Sequence, residues 1–272
     1  MKITKLSGNV GAQIDGVDLC KSSPEQIEAI RQALWDNGVV VFRDQALTPE
    51  AHIALAQQFG EIDVNRFFTP VAQYPMIAEV RTAASQTRVI GGTWHTDHSY
   101  DPAPAMCSIL AARELPPYGG DTLFASQTAA LGALSPGLRA TLTGLRAWHS
   151  DGSFGADTGL LDTDASQFRP PVLHPVVIKH PQSGQAALYV NGDFTTHFDG
   201  WTKEESAPLL AHLYAFCSRP EFGCRISWQP GSVAIWDNRL VQHFACADYT
   251  GHSRLMHRIT VKGQVLAAAH QA

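Results

Sequence analysis

In the larger part of this chain the apolar residues come in short runs, each closed off by Gly, Pro, Asp or Asn. The runs are Met106–Leu110, Thr122–Ala125, Val172–Ile178, Ala186–Val190, Arg225–Trp228, Val233–Trp236 and Leu255–Val261. Runs of about four to eight residues bounded by turn formers read as β-strands, because they are too short to complete a core helix. Helical signals are confined to three places. Over 23–38, Ser23 stands as a cap with Gln26 at the reciprocal position, Ile27, Ile30 and Leu34 share a face, and Gly38 ends the element. A buried strand, Val39 to Phe42, follows. A second helix spans 48–59, with Thr48 as cap and Pro49 in its first turn. The third covers 202–217, where Thr202 and Glu205 form a capping box and Pro208 is expected to delay the true start.

Many short strands with a few helices predict a mainly β chain with flanking helices (α+β), built as a two-sheet jelly roll whose interior can hold a small ligand. At 272 residues, without a linker, a repeat or a low-complexity stretch, residues 1–272 read as one domain. The segment 150–170 is too long and too rich in Gly, Asp and Ser for a tight turn, and it predicts a mobile loop over the site.

Composition narrows the partner. A net charge of −5 with no Lys/Arg cluster lacks the footprint of nucleic-acid binding. No apolar run approaches the ~18 residues that span a bilayer, and the first residues lack an apolar signal core, so the expected location is cytoplasmic. Five cysteines, Cys20, Cys107, Cys217, Cys224 and Cys246, form an odd set with no CxxC pair, which predicts buried thiols and neither a disulfide framework nor a zinc knuckle.

The chemistry centres on His95 and Asp97. Residues i and i+2 of an extended chain point to one side, so an imidazole and a carboxylate can reach one metal. Among twelve histidines, His243 is the best third ligand, since it follows a strand-like run by a short turn and precedes Arg254 and Arg258. Two histidines and one carboxylate on one face leave positions open for a chelating 2-oxo acid and O₂, which suits Fe(II) better than a closed zinc site. The far carboxylate of such an acid needs a buried cation. Arg254 and Arg258, four apart on a strand, face the same way; one can serve the cosubstrate and the other a substrate anion or the near carboxylate. Thr122, after Gly119-Gly120-Asp121, can add a hydroxyl.

WHTDHSY at 94–100, GGDTLF at 119–124, LHPVVIKHPQSG at 173–184, IWDNRLVQHFACADY at 235–249 and RLMHRIT at 254–260 together resemble the taurine dioxygenase and 2,4-dichlorophenoxyacetate dioxygenase family, in order and over nearly the whole chain. The resemblance implies a double-stranded β-helix form of the jelly roll and an Fe(II)- and 2-oxoglutarate-dependent dioxygenase. It implies His95, Asp97 and His243 as iron ligands, Thr122 and Arg254 on the far carboxylate, and Arg258 beside the near carboxylate and the substrate anion. It also suggests a homodimer or tetramer.

The substrate region departs from the taurine pattern. Asn65 stands where the taurine enzymes place a histidine on the sulfonate, and Phe68 and Gly91 replace the tyrosine and asparagine that hold the amine. Phe154 and Phe194 match the aromatic walls, and His98 adds a polar group where the family has an apolar one. The implied substrate is a small organic anion without a nearby ammonium, such as an alkyl sulfate, a sulfonate or an aryloxyalkanoate, in preference to taurine.

Blander readings stand beside these. Phe68, Phe154 and Phe194 serve equally well as plain core, His98 as a histidine held by a loop carbonyl, and Trp94 and Trp236 as packing. His149, His174, His180, His197 and His257 read as structural or exposed. A zinc-dependent hydrolase is the rival enzyme, because residues 93–98 resemble an HxHxDH signature, but Thr93 occupies the first histidine's place. A non-catalytic binding module is the second rival. Halogenation is disfavoured because Asp97 holds the place a halide would need on iron.

Overall fold

In the computed structural model, which describes residues 1–152 and 168–269, the chain begins with strands β1 (Lys2–Lys5) and β2 (Ala12–Asp15), then helix α1 (Pro24–Asn37), strand β3 (Val39–Phe42) and helix α2 (Pro49–Phe59). Strands β4 (Ile62–Asp63), β5 (Pro70–Val71), β6 (Tyr74–Thr82), β7 (Cys107–Glu114) and β8 (Thr122–Ser126) follow. Two short helices, α3 (Gln127–Ala133) and α4 (Pro136–Thr143), lead to β9 (Arg146–His149). The later part contains β10 (Val172–Pro175), β11 (Val177–Lys179), β12 (Ala186–Leu188), β13 (Thr195–Phe198) and helix α5 (Lys203–Cys217). It closes with β14 (Gly223–Ile226), β15 (Val233–Asp237), β16 (Val241–Ala245), β17 (Arg254–Val261) and β18 (Ala267–Ala268).

Among the described residues the main sheet runs β1-β2-β3-β15-β7-β17-β6-β5, with β4 paired to β17. The other strands form three small sheets, β14-β8-β16, β10-β9-β13 and β12-β11-β18, of which the first and third share a buried core with the main sheet, and none of these paths closes into a barrel. The arrangement is the jelly roll that the strand pattern predicts.

The strand β3 shows what organises the two layers. All four of its residues are buried, and alternate side chains face opposite ways. Val40 and Phe42 pack with Ile30 and Leu34 of α1 and Leu55 of α2, whereas Val39 and Val41 join Phe124, Ile226 and Val241 of the small sheet. The inner face of the main sheet therefore looks into the space between sheets. On β17 the same alternation puts Met256 into that inner core and Ile259 and Val261 into the helix-side core. Arg254 and Arg258, in register with Met256, share the inner face.

The helix caps form as their residues dictate. The hydroxyl of Ser23 accepts from the Gln26 N–H while the Gln26 side chain accepts from the Ser23 N–H, and Thr202 and Glu205 do the same for α5. Pro208 does not delay α5; the helix starts at Lys203 with Pro208 inside it. The proline forfeits the one backbone bond its nitrogen would have made, and the capping box before it and the buried Leu210 and Leu213 after it hold the helix on either side. The run 172–178 is not one strand, because the chain leaves β9 after Pro175 and joins another small sheet as β11. Cys107, Cys217 and Cys246 are buried thiols, but Cys20 is exposed in a turn and Cys224 half-buried. The expectation of a mobile loop over 150–170 lies, for residues 153–167, outside the described residues, as does Phe154.

Candidate active site

The site forms where the inner face of the main sheet meets the sheet β14-β8-β16. His243 is central in β16, paired with Phe124 of β8. The backbone of His95 bridges that of His243 in both directions, N–H to carbonyl at 3.1 and 2.8 Å, so the segment 93–97 lies along the free edge of β16. Two residues on, Asp97 reaches the main sheet. Its Oδ2 accepts from Ser108 Oγ on β7 at 2.6 Å and its Oδ1 from Arg258 Nη1 on β17 at 3.1 Å.

One nitrogen of each histidine and one carboxylate oxygen of Asp97 thus fall within 4.8 Å of one another, and all three residues are buried. His95 Nε2 stands 3.8 Å and His243 Nε2 4.0 Å from Asp97 Oδ1. The donor set fits a divalent iron. His95 Nδ1 donates to the Thr93 carbonyl at 2.8 Å, which fixes the proton there and leaves the Nε2 lone pair facing inward. Burial, then the neighbouring His95, pushes the His243 pKa well below its usual value, so this imidazole stays neutral as a ligand must. Burial pulls the Asp97 carboxyl upward, but the charge of Arg258, 3.1 Å from Oδ1, leads the interactions that outweigh it and hold the group well below the usual carboxylate range.

Gly91 completes this wall. It has φ +78°, and a Cβ there would stand 2.9 Å from His95 Cε1, so any side chain would displace the imidazole. The sequence reading assigned Gly91 to the substrate; the structure presses its backbone against His95, with its carbonyl accepting from the Ala245 N–H at 2.8 Å.

A second buried arginine shares the strand face of Arg258. Arg254 is buried, and among the described residues its guanidinium forms no salt bridge and its Nε no hydrogen bond. Burial lowers its pKa and outweighs the opposing pull of Tyr249 and Asp121. Thr122, at the start of β8, is buried nearby with its Oγ1 accepting from Trp228 Nε1 at 3.0 Å. Gly120, at φ +68°, lets the backbone approach Arg254 so closely that a Cβ would lie 3.2 Å from its Cδ and Nε.

The residues assigned to substrate divide into two groups. Phe68 lies under Arg258, the guanidinium carbon 4.6 Å from the ring centroid, and Phe194 sets its edge against His95 at 6.3 Å. Both belong to a buried aromatic cluster with Phe67 and Tyr100. Asn65 and His98, by contrast, meet each other. Asn65 Oδ1 accepts from the N–H groups of Phe67 and Phe68, so its amide nitrogen faces His98 Nε2 at 3.0 Å. His98 Nδ1 lies 3.1 Å from Asp63 and 3.2 Å from Asp101. Arg66 joins the same network, bonding Asp101 at 3.1 Å and Asp151 at 2.8 Å.

Several supporting residues escaped the sequence reading. Ser108 is hidden in an apolar run, and Trp228 and Arg66 carry no local signal. His149 and His174 are buried, as the structural reading expected, and they hold Ser99 behind Asp97 through its hydroxyl and carbonyl.

Residues 2–260 match the family described as taurine catabolism dioxygenase TauD, TfdA family. The chain belongs to this family. Among curated relatives, the α-ketoglutarate-dependent sulfate ester dioxygenase of Pseudomonas putida is 33% identical over 97% of this chain and 90% of its own length. The α-ketoglutarate-dependent 2,4-dichlorophenoxyacetate dioxygenase of a Burkholderia species is 32% identical over 85% of this chain and 84% of its own. Among solved structures, a putative α-ketoglutarate-dependent taurine dioxygenase from Burkholderia xenovorans superposes with a TM-score of 0.85 at 36% identity, covering 100% of this chain and 98% of that one.

Proposed function

We propose that this family member is an Fe(II)- and 2-oxoglutarate-dependent dioxygenase that hydroxylates a small organic anion next to a heteroatom. The observation that carries the reading is the pairing of the buried His95, Asp97 and His243 group with the buried guanidinium of Arg254, which forms no salt bridge among the described residues. A buried cation without a partner is costly, and an acid with a second carboxylate would remove that cost.

In this reading His95, Asp97 and His243 hold iron, and Arg254 and Thr122 receive the far carboxylate of 2-oxoglutarate. Bound iron(II) supplies the chemistry: it activates O₂ against the keto acid, with release of CO₂ and succinate, and oxidises an unactivated C–H bond. The chain's own part is positioning. Ser108 and Arg258 fix the Asp97 carboxylate, while Phe68 and Phe194 exclude water and present an apolar wall to the substrate. Arg258 offers its charge to the near carboxylate and to the substrate anion.

The favoured substrates are alkyl sulfates, sulfonates and aryloxyalkanoates, whose hydroxylated carbon collapses to an aldehyde or ketone with loss of sulfate, sulfite or a phenol. The relatives named for sulfate esters and 2,4-dichlorophenoxyacetate support this range. An apolar surround and the absence of tyrosine and asparagine at Phe68 and Gly91 argue against taurine, whose ammonium would lack partners.

We also read residues 1–272 as one catalytic domain, acting in the cytoplasm as a homodimer or tetramer without nucleic acid or membrane. No described helix is long and apolar enough to cross a membrane. Succinate release by the iron-loaded protein, supplied with 2-oxoglutarate and O₂, tests the function over a panel of alkyl sulfates, sulfonates, aryloxy acids and taurine. Stimulation by one of the first three classes above taurine is expected. Brisk turnover of taurine alone would overturn the substrate assignment, and no succinate with any compound would overturn the reaction.

A further inference from the structure

The residues assigned to the far carboxylate of the cosubstrate share a neighbour that neither the sequence motifs nor the proposed roles include. Trp228 follows β14, whose last residue Ile226 pairs with Thr122 across the ladder. Its indole Nε1 donates to Thr122 Oγ1 at 3.0 Å, and the guanidinium carbon of Arg254 lies 5.9 Å from the centroid of the same indole. One side chain therefore touches both groups.

The hydrogen-bond inventory gives that contact a direction. An indole N–H can only donate, whereas a threonine hydroxyl has one hydrogen and two lone pairs. With the indole occupying a lone pair, the single hydrogen of Thr122 is left to be donated elsewhere. The ring face meanwhile gives the buried Arg254 a cation–π contact, the form of support an aromatic ring lends a charge without neutralising it. The guanidinium keeps its appetite for an anion.

A second tie holds the pair in register. Ser227, just before Trp228, donates through Oγ to Asp121 Oδ2 at 2.9 Å, and Asp121 stands just before Thr122. Two adjacent residues on one segment thus bond two adjacent residues on the other. Trp228 is only half-buried, and it packs against the inter-sheet core.

We infer that Trp228 is a positioning residue for the far carboxylate of the cosubstrate: its N–H turns the Thr122 hydroxyl into a donor aimed at that carboxylate, and its ring face steadies Arg254. The inference rests on the 2-oxoglutarate reading above. It separates from a plain packing role by ligand: a packing defect would weaken every chelating acid, whereas lost aim weakens only an acid with a second carboxylate.

The test compares 2-oxoglutarate with 2-oxobutyrate, a chelator of the same kind without the far carboxylate, by calorimetry on Mn(II)-loaded protein under anaerobic conditions. Trp228→Phe keeps a ring and removes the N–H. It should weaken 2-oxoglutarate about tenfold and leave 2-oxobutyrate within about twofold, the scale of one hydrogen bond to a charged group. Thr122→Val should produce the same selective loss, and the double variant should be no weaker than Thr122→Val alone, because the indole acts through that hydroxyl. Equal weakening of both acids, or additive losses in the double variant, would overturn the assignment.

A measurement on the unaltered protein covers the case in which Trp228→Phe fails to fold. With ¹⁵N-labelled tryptophan and Zn(II) in the site, one indole N–H resonance should move on adding 2-oxoglutarate and stay in place with 2-oxobutyrate. The absence of any such resonance would overturn the proposal. Unaltered protein that bound both acids alike would overturn the cosubstrate reading itself, and this assignment with it.

Discussion

Ser108 donates its hydroxyl hydrogen to Oδ2 of Asp97 at 2.6 Å, across the gap between strand β7 and the segment that carries His95. The distance is that of a charge-assisted bond. Asn238 Nδ2 in turn donates to Ser108 Oγ at 3.1 Å, so the hydroxyl has one of its two lone pairs engaged and its hydrogen committed to the carboxylate. Asp97 is thereby held with Oδ1 turned toward His95 and His243.

Ser108→Ala removes this hold without changing any charge. Partners that orient metal ligands typically affect affinity by about 10–100-fold, and the lower end, about tenfold, is expected for one neutral hydroxyl. Mn(II) titration followed by electron paramagnetic resonance measures it. Unchanged affinity would mean that Arg258 alone positions Asp97.

Arg254 gives a prediction of opposite sign for stability and function. Its buried guanidinium lacks a salt bridge among the described residues, so the fold carries a desolvation cost that a bound anion would relieve. Arg254→Met should stabilise the metal-free protein by about 1–3 kcal/mol in urea unfolding while abolishing 2-oxoglutarate binding. A variant destabilised by a similar amount would show that Arg254 already has its compensation within the protein.

His52 governs part of the acid sensitivity. It is fully buried in α2, its Nε2 3.2 Å from the Ile109 carbonyl, and burial followed by the charge of Arg113 lowers its pKa to about 3. The fold keeps this imidazole neutral, whereas the unfolded chain protonates it as pH drops below about 6.5. The contribution is therefore complete above that pH and is lost as pH falls toward 3. Between pH 7.5 and pH 5 the loss from this residue is about 2 kcal/mol. Urea unfolding of His52→Gln at the two pH values should show a dependence shallower by that amount; an unaltered slope would place the acid sensitivity elsewhere.

The sequence made legible what depends on local chemistry. Ser23 with Gln26, Thr48, and Thr202 with Glu205 announced three helices, and the four-residue spacing of Arg254 and Arg258 announced one strand face. The His95 and Asp97 spacing pointed to a shared metal, and the structure brings His243 to both. What escaped depends on tertiary partners. β16 reads as polar because Gln242 and His243 face buried polar groups, with Gln242 Nε2 donating to the Val190 carbonyl at 2.6 Å. β6, which carries Pro75 near its start and alternates apolar and charged residues only over Ala78-Glu79-Val80-Arg81, pairs with β17 along Arg254–Arg258. α3 and α4 are too short to display a helical period. The aim of His98 was equally hidden, since Asp63 and Asp101 decide it.

The most direct test of the central claim is an anaerobic titration of the metal-free protein with Fe(II) in the presence of 2-oxoglutarate, followed by visible absorption. A charge-transfer band that saturates at one iron per chain, and that is lost in His95→Ala, Asp97→Ala and His243→Ala, is the predicted result. Absence of the band in the unaltered protein, or its persistence in all three variants, would contradict the assignment of this site to an Fe(II)/2-oxoglutarate centre.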